Sequence, residues 1–222
     1  MTVMIDAAAF LCDLTGIMAE PWAEVGIECW CVDIQHSIRR DRQEKRGRGV
    51  INFVWGDVRS WRPPEGRRWV FAAAFTPCTH VSGSGARDFA KKGGYQLRDA
   101  LEMFEAGRQV CAWSGAPYCC ENPVGVLSSI PHIGKPDHYF HPHQFTGWCA
   151  EDNYTKLTCL WTGNGFVMPP ERKDPLLGPP DDRIHKAPPT DDRANIRSAT
   201  PRGFSRATFT ANCLVARQRL AA

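Results

Sequence analysis

No apolar run in this sequence approaches the roughly 20 residues that span a bilayer, so a transmembrane helix is excluded. No Cys-x-x-Cys pair occurs, which removes the usual seed of a structural zinc site and leaves no metal assigned. No Gly-x-Gly-x-x-Gly occurs either, so any nucleotide site must be built on a turn poorer in glycine. The segment from Met1 to Leu11 carries no positive charge ahead of its apolar residues and does not read as a signal peptide. A strong excess of one charge is also missing. The net charge of +3 permits a polyanionic partner without demanding one.

What is present is ordinary for a globular chain: 222 residues, 43% hydrophobic and 23% charged, enough for one α/β domain with a sizeable core. The ten cysteines are unevenly spaced, and Cys29, Cys31 and Cys111 lie inside apolar runs. That suits reduced thiols in a cytoplasmic protein better than a disulfide frame. His141 and His143 with Cys149 could be drawn as metal ligands, but they lie among Pro and Gly and read as a His-rich loop.

Two stretches share one form. The apolar run that includes Val70 and Phe71 reads as a buried strand of a parallel sheet that stops at Pro77, leaving Cys78 just past a carboxyl end, where open α/β sheets place their ligands. The thiol there is a nucleophile or an inert buried cysteine. Cys119-Cys120-Glu121-Asn122-Pro123-Val124-Gly125 also ends in a polar turn and would bring the Glu121 carboxylate to the same edge.

Upstream, Ala7 to Cys12 reads as a first strand and Met18 to Val25 as a helix stopped by Gly26. Ile27 to Val32 reads as a second strand ending at Asp33. Strand, Gly turn, helix, strand, acid is the plan of a nucleotide-cofactor site: Gly16 lets backbone approach the ligand and Asp33 can bind ribose hydroxyls. Residues 35–49 are polar and basic, a solvated loop or a phosphate-binding one. Val50 to Trp55 reads as a third strand closed by Gly56-Asp57.

Pro77-Cys78, Ser82 four residues after the Cys, and Glu121-Asn122-Pro123-Val124 some forty residues on resemble the DNA cytosine-C5 methyltransferase family. The region from Tyr154-Thr155-Lys156 through Cys159-Leu160-Trp161 looks much like its short phage-encoded members. The resemblance implies a Rossmann-like fold dependent on S-adenosylmethionine, with a mostly parallel sheet and helices on both faces. It implies a catalytic set of Cys78, Glu121, Asn122 and Lys156. It implies cofactor contacts at Asp13, Thr15, Gly16, Asp33, Ile34, Asp57, Val58 and Pro77, with Asp57 meeting the adenine amino group. It implies DNA contacts, single- or double-stranded, at Ser82, Arg87, Lys156 and Arg202. Most of the family carries Arg-x-Arg where this chain has Lys156 and Thr158, so one charge is kept and one is lost. The setting implied is the cytoplasm of a bacterium or a phage-infected host.

Further along, a helix is expected from Ala86 or Tyr95 to Gly107, with Leu97, Ala100, Leu101 and Phe104 on its apolar face. Residues 127–145, with three prolines, give no regular structure, and Lys156 to Gly163 reads as a strand. Residues 168–192 form a Pro-rich loop where the family inserts a target-recognition domain. From Arg193 onward there are arginines and no acids, and a helix is expected from Thr200 to Arg219. The missing domain implies loose sequence specificity or a protein partner that supplies recognition. It also keeps open the same chemistry on a free cytidine nucleotide or RNA. A non-catalytic protein of this fold, binding nucleic acid or a partner, is the reading from another class.

Overall fold

The computed structural model describes residues 4–83, 94–184, 186 and 193–213. Its frame is an eight-stranded mixed sheet of order β3-β4-β2-β1-β5-β6-β8-β7. The strands are β1 (Ile5–Leu11), β2 (Glu28–Asp33), β3 (Arg42–Arg46), β4 (Gly49–Trp55), β5 (Arg67–Ala74), β6 (Tyr118–Pro123), β7 (His138–Phe140) and β8 (Thr158–Gly163). The five inner strands from β4 to β6 are parallel, while β3, β8 and β7 add antiparallel pairs at the two sides. The helices are α1 (Glu20–Glu24), α2 (Gly94–Trp113), α3 (Arg193–Ser198) and α4 (Arg202–Asn212).

Alternation along the strands divides the core in two. Ala8, Phe10, Cys29, Cys31, Phe53 and Phe71 pack with Trp22 of α1 and with Phe204 and Ala207 of α4. Ala9, Leu11, Val32, Val54, Ala72 and Ala74 pack with Ala100, Phe104 and Cys111 of α2. Burial on both faces is why the central strands read as continuous apolar runs. Trp22 stacks on Phe71 with ring centroids 4.4 Å apart, an aromatic pair worth about 0.5–1.5 kcal/mol beyond its area.

The chain lays β1, β2 and β4 outward to one side, then returns to place β5 and β6 on the other side of β1. The carboxyl ends of β1 and β5 therefore flank a topological switch point, the crevice where open α/β sheets bind ligands.

Several elements differ from the sequence expectation. The helix expected over 18–25 is the shorter α1, with Met18 and Ala19 buried in the turn before it. Part of the 35–49 stretch is β3, an edge strand whose charge is the usual protection of a sheet edge and hides its strand character. Arg42 lies 3.8 Å above the Phe53 ring, and Gln43 Nε2 donates to Asn52 Oδ1 at 2.6 Å. β5 starts earlier than the apolar run, where Arg67 pairs with Glu28 of β2 at 2.7 Å and Arg68 with Asp6 of β1 at 2.5 Å; it ends at Ala74, before Pro77.

α2 continues past Gly107 to Trp113. A Cβ at Gly107 would stand 3.1 Å from Ala74 Cβ and 3.2 Å from Thr76 Cγ2, so this glycine lets helix and sheet approach and does not stop the helix. Leu97 is 37% exposed and is not on the buried face. Residues 127–145 hold β7, with Phe140 buried, and a 3₁₀ turn over Pro142–Phe145. The expected C-terminal helix is α4, which ends at Asn212; residues 214–222 lie outside the described residues, and α3 has no counterpart in the sequence reading. Residues 164–180 form no helix or strand, and residues 185 and 187–192 of the expected loop lie outside the described residues.

Candidate active site

The register brings the site residues to one sheet edge. Leu11 pairs with Val32 and Ala74, and Asp33 pairs with Trp55. On the far side, Pro123 pairs with Thr158 and Phe140 also pairs with Thr158. The carboxyl ends of β1, β2, β4, β5 and β6 thus lie along the same edge as the start of β8, two residues after Lys156.

On the β1 side the chain turns sharply. Cys12 takes φ +55°, and Asp13, 4% exposed, folds its carboxylate back over the turn. Asp13 Oδ1 accepts hydrogen bonds from Thr15 N (3.0 Å), Thr15 Oγ1 (3.0 Å) and Gly16 N (2.8 Å). Gly16 has φ +70°, and a Cβ there would meet Phe53 Cζ at 2.7 Å, so only glycine fits. Burial pushes the Asp13 carboxyl up to about 6 against those three bonds. Asp33, 7% exposed, accepts from Gln35 N at 2.7 Å through Oδ1.

The Cys12 thiol is pushed up to about 12, first by burial and then by the charges of Asp33, Asp57 and Asp13. Ile34 is 58% exposed, and Val58 is buried in the core that packs against α2. Two neighbours were not legible in the sequence. His36 Nε2 lies 3.2 Å from Asp13 O and closes the turn. Arg59 grips both oxygens of Asp57 and reaches Asp99 of α2 at 2.5 Å, which holds the Asp57 carboxyl below its usual range. The acid expected to meet an adenine amino group is thus already engaged.

On the β5–β6 side, Pro77 is exposed and Cys78 half-buried. The loop turns back at once: Val81 N and Ser82 N donate to Cys78 O at 3.1 and 2.9 Å. Ser82, 6% exposed, bridges to Gly125. Gly83 N donates to Val124 O and Val126 N to Val81 O, so the two loops run as a short ladder. A Cβ on Gly125 would lie 1.9 Å from Val81 O, an approach only glycine permits.

Glu121 and Asn122 lie within β6, not in a turn after it, because β8 pairs them through to Pro123, the strand's last residue. Asn122, 1% exposed, donates Nδ2 to Thr76 O at 2.9 Å and so ties β6 to the segment carrying Cys78. Lys156 Nζ stands 3.8 Å from Glu121 Oε1. Glu121 Oε1 and Asn122 Oδ1 are buried and accept no hydrogen bond among the described residues. Burial raises the Glu121 carboxyl, with Lys156 acting against it.

The Cys78 thiol is raised first by burial and then by Glu121, and drawn down by Lys156 and by Arg197 of α3. Cys119 and Cys120 are 1% exposed and belong to the core. Arg202 is half-exposed and pairs with Glu20 at 2.5 Å, linking α4 to α1. Arg87 lies outside the described residues.

A cavity of about 620 Å³ opens next to this edge, lined by Ile17, Trp148, Tyr154, Thr200, Pro201 and Arg202 among others. It excludes Cys78 and Glu121 and adjoins the Gly16 turn instead. Among the described residues no group of three or more His, Cys, Asp or Glu is arranged to hold a metal ion, and no helix is long and apolar enough to cross a membrane. No protein-family model and no curated protein matches this chain.

Proposed function

We propose that this chain is an S-adenosylmethionine-dependent DNA cytosine-C5 methyltransferase on a Rossmann-like fold. The observation that carries the reading is the placement of a half-buried Cys78 thiol and a largely buried Glu121 carboxyl at neighbouring strand ends, the latter with a buried Oε1 that accepts no hydrogen bond among the described residues. A thiol alone is a common core residue. A thiol beside a carboxyl group raised by burial offers a nucleophile and a proton donor together.

Cytosine carbon 5 is a poor nucleophile until carbon 6 carries an added group. Cys78 Sγ, as thiolate, would form a bond to carbon 6 while the ring electrons move toward nitrogen 3. There Glu121 would donate its proton, which burial retains to higher pH than in an exposed carboxyl. Asn122 and Lys156 would hold Glu121 in place. Carbon 5 would then take the methyl group that bound S-adenosylmethionine supplies, with the demethylated thioether as leaving group; loss of the carbon 5 proton to water would expel the thiolate, and the nitrogen 3 proton would return to Glu121, restoring both the ring and the acid.

The cofactor would supply that electrophilic methyl group. The residues present fit it: the Gly16 turn leaves room for backbone approach, and Asp33 is a buried carboxylate with one oxygen bonded to Gln35 N. Ile34 adds an exposed apolar surface at the rim. The fit is poorer at Asp57, which Arg59 already holds.

Specificity should be loose. Residues 164–180 carry no regular element, and base readout needs side chains on a defined one. The same observation favours a second reading, in which the substrate is a free cytidine nucleotide or RNA. Incubation with labelled S-adenosylmethionine and DNA, RNA or dCMP in turn separates the two. Label in 5-methylcytosine of DNA supports the proposal, and label in none of the three removes it.

A further inference from the structure

The cavity beside the sheet edge has no part in the reaction above. It holds about 620 Å³, within the range of small-molecule sites, and none of Asp13, Asp33, Asp57, Pro77 and Cys78 lines it. Its walls come from three places: Ile17 after the Gly16 turn, the stretch from Trp148 to Tyr154, and the link from Ala199 into α4. These are tied to one another. Asp152 Oδ2 accepts a hydrogen bond from Gly203 N at 2.6 Å, and Ser205 Oγ donates to Ile17 O at 2.9 Å. A Cβ on Gly203 would meet Phe145 O at 2.5 Å, so the first turn of α4 is pressed against the chain that leads into Trp148.

The lining is rich in donors. The Trp148 indole N–H and the hydroxyls of Tyr154 and Thr200 have no hydrogen-bond partner among the described residues. Arg206, exposed on α4, has no ion pair among them, whereas Arg202 is held by Glu20. The acceptors are fewer and partly engaged. Glu151 takes the Cys149 thiol at 3.1 Å, and Asp152 has one oxygen on Gly203 N and the other without a bond. The two rings are steadied by cations: the Arg172 guanidinium stands 4.9 Å from the Trp148 centroid and that of Arg183 5.7 Å from the Tyr154 centroid.

The chemistry of the lining selects among ligands. A bare phosphate would meet the repulsion of Asp152 and Glu151 and leave the rings without a partner. An apolar molecule would leave the indole N–H, the hydroxyls and Asp152 unpaired. An amino-acid zwitterion has both charges but no flat surface for Trp148 and Tyr154. A nucleotide meets every group. Its base packs on the aromatic walls, an exocyclic amino group donates to the open oxygen of Asp152, and its phosphate accepts from Arg206.

We propose that this cavity is a nucleotide-binding site separate from the catalytic edge, taking an amino-bearing nucleobase against Trp148 and Tyr154 and its phosphate on Arg206. The nucleotide is either free or one unit of a strand, since both present the same chemistry. The inference goes beyond the methyl transfer proposed above and is read by binding alone.

Calorimetry on the full chain tests it, with dAMP, deoxyadenosine, dIMP and inorganic phosphate as probes. Adenine is not the base attacked at Cys78, so the catalytic edge does not enter the reading. Wild type should bind dAMP roughly 10- to 100-fold more tightly than deoxyadenosine, as for hydrogen bonds to a charged group. Arg206→Ala should reduce that preference to about threefold or less, and Arg206→Lys should keep part of it. dIMP, which lacks the amino group, should bind several-fold more weakly than dAMP, and phosphate alone should give no heat. Asp33→Ala should leave dAMP affinity within about twofold. The proposal is overturned by a full phosphate preference in Arg206→Ala, by equal affinity for dIMP, or by no binding of dAMP at about 1 mM. Loss of dAMP binding in Asp33→Ala overturns it too, because the nucleotide then sits in the crevice assigned to the cofactor. A short deoxyadenosine strand distinguishes the two sources: tenfold tighter binding than dAMP, with the same Arg206 dependence, marks a unit of a strand, and equal binding marks a free nucleotide.

Discussion

Lys156 holds its Nζ 3.8 Å from Glu121 Oε1 with both side chains nearly buried, at 13 and 14% exposure, and the two charges act on the Cys78 thiol in opposite directions. Glu121 raises the thiol and Lys156 lowers it, so the carboxyl group that would protonate the base also restrains the nucleophile while it is ionised.

That opposition sets the reactivity of Cys78. At pH 8, Glu121→Gln should speed alkylation of Cys78 by iodoacetamide several-fold, and Lys156→Met should slow it by a similar factor. A shift of one pKa unit changes the thiolate fraction about tenfold. Peptide mass spectrometry over time reads the rates residue by residue. Equal rates in all three proteins would separate the thiol from this pair.

The ladder between the two loops should be as necessary as the groups it carries. Gly125→Ala forces a Cβ toward Val81 O, where the present geometry leaves 1.9 Å. The loops must part, and with them Cys78 and Glu121. Misplacement of about 1 Å can cost on the order of 10²-fold in rate. Methyl transfer should fall by about that factor, while S-adenosylmethionine affinity, which the proposal assigns to the Gly16 turn and Asp33, should stay within about twofold by calorimetry. Full activity in Gly125→Ala would show that the approach is not needed.

The acids at the proposed cofactor side differ in what they have left to offer. Asp33 gives one oxygen to Gln35 N, whereas both oxygens of Asp57 are held by Arg59. Asp33→Ala should therefore weaken S-adenosylmethionine binding by tenfold or more, the loss of at least one charge-assisted bond of roughly 1.5–3 kcal/mol. Asp57→Ala should weaken it less. Calorimetry giving equal losses, or the reverse order, would contradict this ranking.

Asp13 predicts a pH-dependent stability of unusual sign. Its carboxyl is raised from 3.8 to about 6, so between those values the folded state binds the proton more tightly than the unfolded state. The native state is favoured while Asp13 is protonated, and that advantage is lost as pH rises from about 4 through about 6. The cost at neutral pH is on the order of 2–3 kcal/mol. Asp13→Asn keeps an oxygen for the Thr15 and Gly16 donors and removes the charge. Its Tm should exceed that of wild type by a few degrees at pH 7.5, with the difference closing toward pH 4. A difference independent of pH would reject the assignment.

The inner strands were legible because burial on both faces writes them as apolar runs, as in Ala7 to Leu11 and Phe71 to Ala74. The order Cys78, then Glu121 was legible for the same reason, since each follows or closes such a run. β3 was not, because an edge strand of arginines and a glutamate has the composition of a loop. The continuation of α2 through Gly107 was hidden because the packing reason for that glycine lies in Ala74 and Thr76, more than thirty residues away. Arg197 gave no local signal at all. It was one of several C-terminal arginines, and its pull on the Cys78 thiol depends on the tertiary path of α3.

The central claim is covalent attack by Cys78 on cytosine, and a mechanism-based trap tests it most directly. An oligonucleotide carrying 5-fluorocytosine, incubated with the protein and S-adenosylmethionine, cannot lose a proton from carbon 5 and should stall as a protein–DNA adduct. Mass spectrometry of the digested adduct should place the methylated base on Cys78, with none formed by Cys78→Ser. DNA that binds without any adduct, or an adduct on Cys120, would contradict the account.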